Sequence, residues 1–542
     1  MNQKRSTYFL SRRKTEGLTW VLGIGLMAGT SLFSQTRANV SVDLGRAVNV
    51  LTETSLGVPA PTFDANSFNL AGVPYLRATG VTTARFPGNH GVADLYHWST
   101  RTTTKYKGME PGYFAPESSF GNFAQFAEKL GQALIVVNYG ANFDGAGGGE
   151  PAEAAAWVAY ANGAADDTRA LGKDSTGEDW HTIGYWAALR SQEPLQSDDG
   201  LNFLRMHHPS PFGFKLWQVG DEVYNNGYYG GEHTGNPDLH GPAPTGPKDF
   251  GKLKNDPKLG PLAFGENLKT FATAMKAVDP SIQIGASLTT PPDGDKFAPD
   301  WNRNVLKTAC TSLDFVNLEW TLSPLLPPDW KTLNEADLLA NTNANFATIL
   351  TTLLEDYKKY CPKDHFPRLA FSPAGIATWP KVEHPVVSAL WVADTYAVLI
   401  ESGTLNIDWT EMYGSSMLSD DRKKLGPAYY GLQMLHILAH SPGDTLLDAS
   451  SNSSQVSVHA TRRRDGFVGV MVVNKDPKNE ATVKVTLKNG AIGASGKRFD
   501  YGAAQFYTGA NVAASAFSAG GNEFSITVAP YTVTDILLSG HN

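Results

Sequence analysis

Between Thr52 and about His440 the chain alternates short apolar runs with longer segments of helical period. The runs predict strands at Thr52–Val58, Thr82–Phe86, Ala133–Asn138, Phe214–Val219, Ser281–Leu288, Leu313–Leu318, Arg368–Phe371 and Leu405–Trp409. The segments between and after them predict helices that include Phe120–Leu130, Pro151–Asn162, Gly265–Val278, Asn334–Tyr360, Val386–Glu401 and Pro427–Ala439. Eight strands separated by helices favour a (β/α)8 barrel. An open doubly wound sheet would carry a phosphate-type glycine turn after its first strand, and none is there.

After Ser441 the period changes to two. Gln455–Ala460, Gly466–Asn474, Ala481–Leu487 and Glu523–Val528 alternate apolar and polar residues between Gly, Asn and Asp turns, the pattern of a β-sandwich. Val40–Val50 alternates as well and is expected to join it. The expected organisation is a leader at 1–38, a strand at 39–51, a barrel at 52–440 and a β-sandwich at 441–542. Residues 231–262 hold six Gly and six Pro without helical period, an irregular loop after the fourth strand and a candidate substrate wall.

The leader reading rests on Lys4, Arg5, Arg12, Arg13 and Lys14 ahead of an uncharged run from Leu18 to Phe33, then Thr36-Arg37-Ala38 as a cleavage site. A secreted or periplasmic protein is expected, the alternative being an uncleaved anchor. Residues 1–38 hold six of the 45 Lys/Arg and one of the 53 Asp/Glu, so the formal charge of -8 becomes -13 without them. A basic face for nucleic acid is absent from such a balance. An exported chain matures where thiols oxidise, and Cys310 and Cys361 each precede a predicted strand. They read either as a disulfide or as two buried thiols.

Barrel enzymes place reactive groups at the carboxyl ends of strands. Those positions read Arg85-Phe86-Pro87-Gly88-Asn89-His90, Asn138-Tyr139-Gly140, Gly220-Asp221-Glu222-Val223-Tyr224, Glu319-Trp320, Ser372-Pro373 and Trp409-Thr410-Glu411. Acids at three strand ends among Trp and Tyr describe a sugar site, with carboxylates for proton transfer and displacement and aromatic faces for stacking. Other chemistries are weaker. Gly145–Gly149 lacks the Lys-Ser/Thr of a phosphate loop, and no Gly-x-Ser-x-Gly elbow is present. His207-His208 and Asp293-Gly294-Asp295 are too sparse for a metal site. No cofactor or metal is expected, and the expected partner is carbohydrate, with no membrane contact once the leader is removed. The oligomeric state stays open.

Ala84–Gly88 with Ala93–Trp98, Lys215–Tyr224, Asn226–Gly230 and the stretch from Ala393-Asp394 to Asp408-Trp409 resemble the clan-A glycoside hydrolases of the alpha-L-arabinofuranosidase kind. In that clan a Glu after strand four, normally preceded by Asn, is the general acid/base, and a Glu ending strand seven is the nucleophile. The resemblance implies the first role for Glu222, here preceded by Asp221. Strand seven departs from the pattern, because Leu369–Ala374 carries no carboxylate, while strand six gains Glu319. Glu319 is therefore expected to replace the lost nucleophile or to act as base for a water, with Glu411 in reserve. Arg85, Asn138, Asp221, Tyr224, Trp320 and Trp409 are expected to bind substrate, the tryptophans by stacking. The resulting expectation is an exported glycosidase acting on plant or microbial polysaccharide. The alternatives are a barrel that binds sugar without cleaving it, or a transglycosylase.

Overall fold

In a computed structural model, eight short parallel strands close into a barrel in the order in which they occur along the chain. They are Leu56–Pro59, Thr83–Phe86, Gln132–Val137, Leu216–Val219, Gln283–Ser287, Phe315–Trp320, Arg368–Ala374 and Asn406–Asp408, and each overlaps one of the eight expected runs. The structure describes residues 36–540 except 89–91, 105–113, 231–235, 243–251, 292–293, 321–333, 341 and 376–383. The leader through residue 35, His90, Asp293 and much of the 231–262 loop lie outside the described residues. No described helix is long and apolar enough to cross a membrane.

Strand parity decides what the barrel holds, because successive side chains point to opposite faces. One parity faces the lumen, where Leu134, Val136, Leu216, Phe315 and Ala370 pack as a small separate cluster. The other parity, including Trp217, Val316, Leu318, Phe371 and Ile407, joins the large core beneath the helices. Towards the carboxyl ends the lumen parity turns polar, with Arg85, Gln218, Ser287, Asn317, Ser372, Asn406 and Asp408 all buried.

The outer helices follow their apolar periodicity. Phe120–Leu130 buries Phe120, Phe123, Ala124, Ala127 and Leu130, and its start is capped by the Ser119 side chain accepting from the Asn122 N–H. The expected helix at Asn334–Tyr360 is two helices, Glu335–Ala340 and Thr342–Tyr360. Ile183–Ser191 and Trp301–Ala309 are further helices that periodicity did not single out. Cys310 and Cys361 are disulfide-bonded with 5.6 Å between their Cα atoms. They sit just before the sixth and seventh strands, which are parallel neighbours.

The C-terminal strands form one mixed nine-stranded sheet, ordered Ser515–Ser518, Ile492–Gly502, Thr532–Gly540, Phe467–Asn474, Val456–Arg462, Thr445–Ser451, Thr36–Val50, Ala481–Lys488, Glu523–Val528. The sheet rolls over its own apolar face, so that Phe517 and Phe524 from its two end strands lie 5.8 Å apart. Thr36–Val50 is inserted between a strand it meets antiparallel and one it meets parallel. The N-terminal segment thus returns to the last domain before the barrel begins.

A buried ion cluster joins this sheet to the barrel helix Val387–Glu401. His459 from the sheet bridges Asp394 at 2.9 Å and Glu401 at 2.8 Å, and Lys475 reaches Asp394 at 2.6 Å. The two carboxylates outweigh the cost of burial and hold the His459 imidazolium up to about 10, while Lys475 and His459 hold Asp394 down. A raised imidazole stabilises the fold fully below its unfolded value near 6.5 and loses that contribution as pH rises towards the folded one. Stability should therefore decline between about pH 7 and 10. His459→Gln should cost roughly 3 kcal/mol at pH 7 and flatten that decline, as read from urea midpoints across the range.

Candidate active site

The fourth strand ends at Val219, and the next three residues build the site. Gly220 has φ 70°, and a Cβ there would lie 2.5 Å from the Val223 side chain, so only glycine fits the turn. Glu222 follows with φ 48°, a left-handed conformation that costs a residue with a side chain on the order of 1 kcal/mol and recurs at functional sites. The turn carries Asp221 back into the barrel and leaves Glu222 half-buried. The Tyr224 hydroxyl donates to Glu222 at 3.2 Å, and the Asn225 amide lies at 3.5 Å.

Glu319 comes from the sixth strand on the lumen parity of Phe315 and Asn317. Its buried carboxyl lies near enough to Glu222 for the two to interact electrostatically. Burial raises its proton affinity well above the ordinary carboxyl range, and the negative charges of Glu222 and Asp221 raise it further, against a smaller opposing pull from Arg85. The Thr290 hydroxyl donates to the Glu319 backbone carbonyl and anchors this end of the strand. The two acids named from the sequence therefore face each other, although they come from strands separated by a third.

Beneath them, Arg85 meets Asp221 at 2.5 Å with both side chains 2% exposed. Gln218 braces the same region, donating to the Gly220 carbonyl at 2.8 Å and to Ser287 at 3.0 Å. Two further acids support it that the sequence reading did not name. Asp94 accepts from the backbone N–H of Asp221 at 3.0 Å and of Tyr139 at 3.3 Å. Burial and the nearby Asp221 charge raise Asp94 well above the carboxyl norm. Asp408 ends the eighth strand, accepts from the Ser372 hydroxyl at 2.7 Å, and is pushed up to about 6 by burial. A Cβ on Gly57 would fall 1.8 Å from Asp408 Oδ1, so Gly57 makes the room this carboxyl occupies. Parity was the available signal: Asn406-Ile407-Asp408 alternates polar, apolar, polar at a strand end.

The same parity corrects the stacking role given to the tryptophans. Trp320 follows Glu319 and Trp409 follows Asp408, so both must point outward when the acids point inward. Trp320 packs on Phe346, Phe371 and Trp391, and Trp409 on Trp391 and Tyr396, each ring 2% exposed or less. Asn138 is spent on its own turn, donating to the Ala141 carbonyl at 2.8 Å and accepting from the Ala141 N–H at 3.2 Å. Glu411 accepts from the Ser416 N–H at 3.1 Å and from the Ser416 hydroxyl, which ties the loop after strand eight. His208 pairs with Glu128 at 3.0 Å and His207 with Glu193 at 2.8 Å. Among the described residues no three His, Cys, Asp or Glu side chains are grouped to hold a metal.

No protein-family model and no curated protein matches the chain. Solved structures do. The alpha-L-arabinofuranosidase from Thermotoga maritima aligns over 93% of this chain and 100% of its own, with TM-score 0.64 and 15% identity. The GH51 arabinofuranosidase from Xanthomonas axonopodis pv. citri gives 93%, 100%, 0.63 and 16% on the same measures. A Paenibacillus polymyxa xyloglucanase of glycoside hydrolase family 44 gives 93%, 100%, 0.57 and 14%. The chain shares the fold of these glycoside hydrolases, an eight-stranded barrel with a C-terminal β domain. Within the barrel, strand seven offers Ser372 on the lumen parity, and its hydroxyl is committed to Asp408.

Arg85 is the cation set among Asp221, Asp408 and Glu319. Arg85→Met should destabilise the protein by about 3 to 5 kcal/mol at pH 7, because it strands buried carboxylates. The loss should shrink towards pH 5 as Asp408 takes up its proton. Chemical denaturation of both proteins at the two pH values checks this, and an equal loss at both would contradict it.

Proposed function

We propose that this protein is an exported glycoside hydrolase acting on plant or microbial polysaccharide, with Glu222 and Glu319 as its catalytic pair. The observation that carries this reading is the placement of these two carboxyls at the carboxyl ends of strands four and six, close enough that the charge of Glu222 acts on buried Glu319. Two acids so close cannot both be ionised cheaply, so one holds the proton. Burial and its acidic neighbours favour Glu319 as that one. Glu222, receiving the Tyr224 hydroxyl and lying beside the Asn225 amide, is oriented as the nucleophile.

Glu319 then protonates the glycosidic oxygen while Glu222 attacks the anomeric carbon, and the leaving alcohol departs with that proton. Water, deprotonated by Glu319, releases the sugar from Glu222 in the second step. These roles reverse those implied for the strand-four acid by the resemblance. The close approach favours direct attack, because inverting enzymes hold their carboxyls roughly 6.5 to 9.5 Å apart to admit a water. A partner acid on strand six in place of strand seven is the feature particular to this chain.

Aryl glycosides and polysaccharides screened with wild type, Glu222→Gln and Glu319→Gln test the pair. Glu319→Gln should lower kcat/KM about 10²- to 10⁴-fold on substrates with poor leaving groups and much less on activated aryl glycosides. It should also remove the loss of activity that accompanies deprotonation of Glu319 as pH rises. Glu222→Gln should abolish turnover on both, and azide should rescue Glu222→Ala. Full activity in Glu319→Gln, with activity lost in Glu222→Gln, sinks the relocated acid. Sugar binding without turnover on any substrate would make the barrel a binding module.

A further inference from the structure

A cavity of about 880 Å³ lies where the end of the barrel meets the C-terminal sheet. Its walls come from Tyr75, from the turn Asp421-Arg422-Lys423-Lys424 with Tyr430, and from Tyr501 to Asn511. None of these residues takes part in the pair described above. Tyr430 and Tyr501 stack at 4.4 Å and form a rigid floor, while Tyr75 is 36% exposed.

The polar lining is oriented to donate. The Asn511 Oδ1 accepts the Tyr430 hydroxyl at 2.8 Å, which leaves its NH₂ to offer. The Gln505 Oε1 accepts the Gly502 N–H at 3.1 Å, which leaves its NH₂ in the same position. The one acid in the lining, Asp421, is already engaged by the Ser419 hydroxyl at 2.8 Å, the Lys423 N–H at 3.1 Å and the Lys423 ammonium at 3.5 Å. Lys424 has no ion pair among the described residues.

The turn that presents the cations is fixed. Arg422 sits at φ 59°, in the left-handed region that side chains disfavour. The Arg422 N–H bonds the Ser419 carbonyl at 2.7 Å, and the Ser419 hydroxyl takes the Lys424 N–H at 3.0 Å. Arg422 and Lys424 are thus displayed at one mouth, with Lys423 between them paired to Asp421, on a chain whose formal charge is -8.

We propose that this cavity is a non-catalytic binding site for an acidic polysaccharide, which it takes through the carboxylates of uronic acid residues. Arg422, whose Nη1 already donates to the Asp420 carbonyl at 3.3 Å, offers its remaining donors to the carboxylate, and Lys424 a point charge. The Asn511 and Gln505 amides donate to ring hydroxyls, and Tyr75 supplies an apolar face for the sugar. The volume suits one or two sugar units, within the range of small-ligand sites. The choice of a sugar polymer rests on the proposed hydrolase reading, whereas the preference for an anion rests on the lining alone.

Affinity electrophoresis of the full chain through gels containing polygalacturonate, neutral arabinan or polyglutamate tests the site, with Arg422→Gln/Lys424→Gln and Tyr75→Ala as variants. Wild type should be retarded by polygalacturonate, and the double variant should bind at least fivefold more weakly. Tyr75→Ala should also weaken polygalacturonate binding, and turnover of any small aryl glycoside should be unchanged in both. Unchanged retardation of the double variant, equal retardation by arabinan, or equal retardation by polyglutamate would each overturn the proposal. Binding is read without turnover, so an inactive protein that is still retarded refutes the hydrolase reading and leaves this site standing.

Discussion

A single guanidinium lets this barrel carry acids in its lumen. Arg85 rises from the second strand into a space where Asp221, Asp408 and Glu319 converge, and its 2.5 Å bond to Asp221 is sealed from water. Ion pairs at that depth gain strength from low polarity, but their members cannot be removed singly without leaving a naked charge. One positive charge does not neutralise three carboxylates. Burial raises the proton affinity of Asp408 and Glu319, and on Glu319 the charges of Glu222 and Asp221 add to it. The proton proposed for catalysis thus follows first from burial and then from the acids beside Glu319.

How much of this was readable in advance follows from the physics of strands. Each of the eight barrel strands overlaps a predicted run, because a strand buried on both faces is a short apolar stretch bounded by polar turns. Glu222 and Glu319 were legible from their strand-end positions. The stacking assignments fail, because proximity in sequence is not proximity in space. In a strand, neighbours are the residues that point furthest apart, and Trp320 beside Glu319 is the clearest case. Asp94 was hidden for a different reason. It lies in a 3-10 turn after strand two, and only tertiary folding brings its carboxyl under the Asp221 and Tyr139 amides.

The proposed move of the partner acid from strand seven to strand six is consistent with the Ser372–Asp408 bond. A carboxylate at the end of strand seven would stand where Ser372 now points, against Asp408 and its small neighbour Gly57. With Asp408 already buried there, a second anion would compete for Arg85, which is held by Asp221. Serine instead donates a hydrogen bond to Asp408 and adds no charge. Glu319 meets the opposite side of the lumen, next to Glu222, where a shared proton removes the need for a second cation. The geometry therefore favours strand six over strand seven as the place from which a partner acid can reach Glu222 at tolerable electrostatic cost.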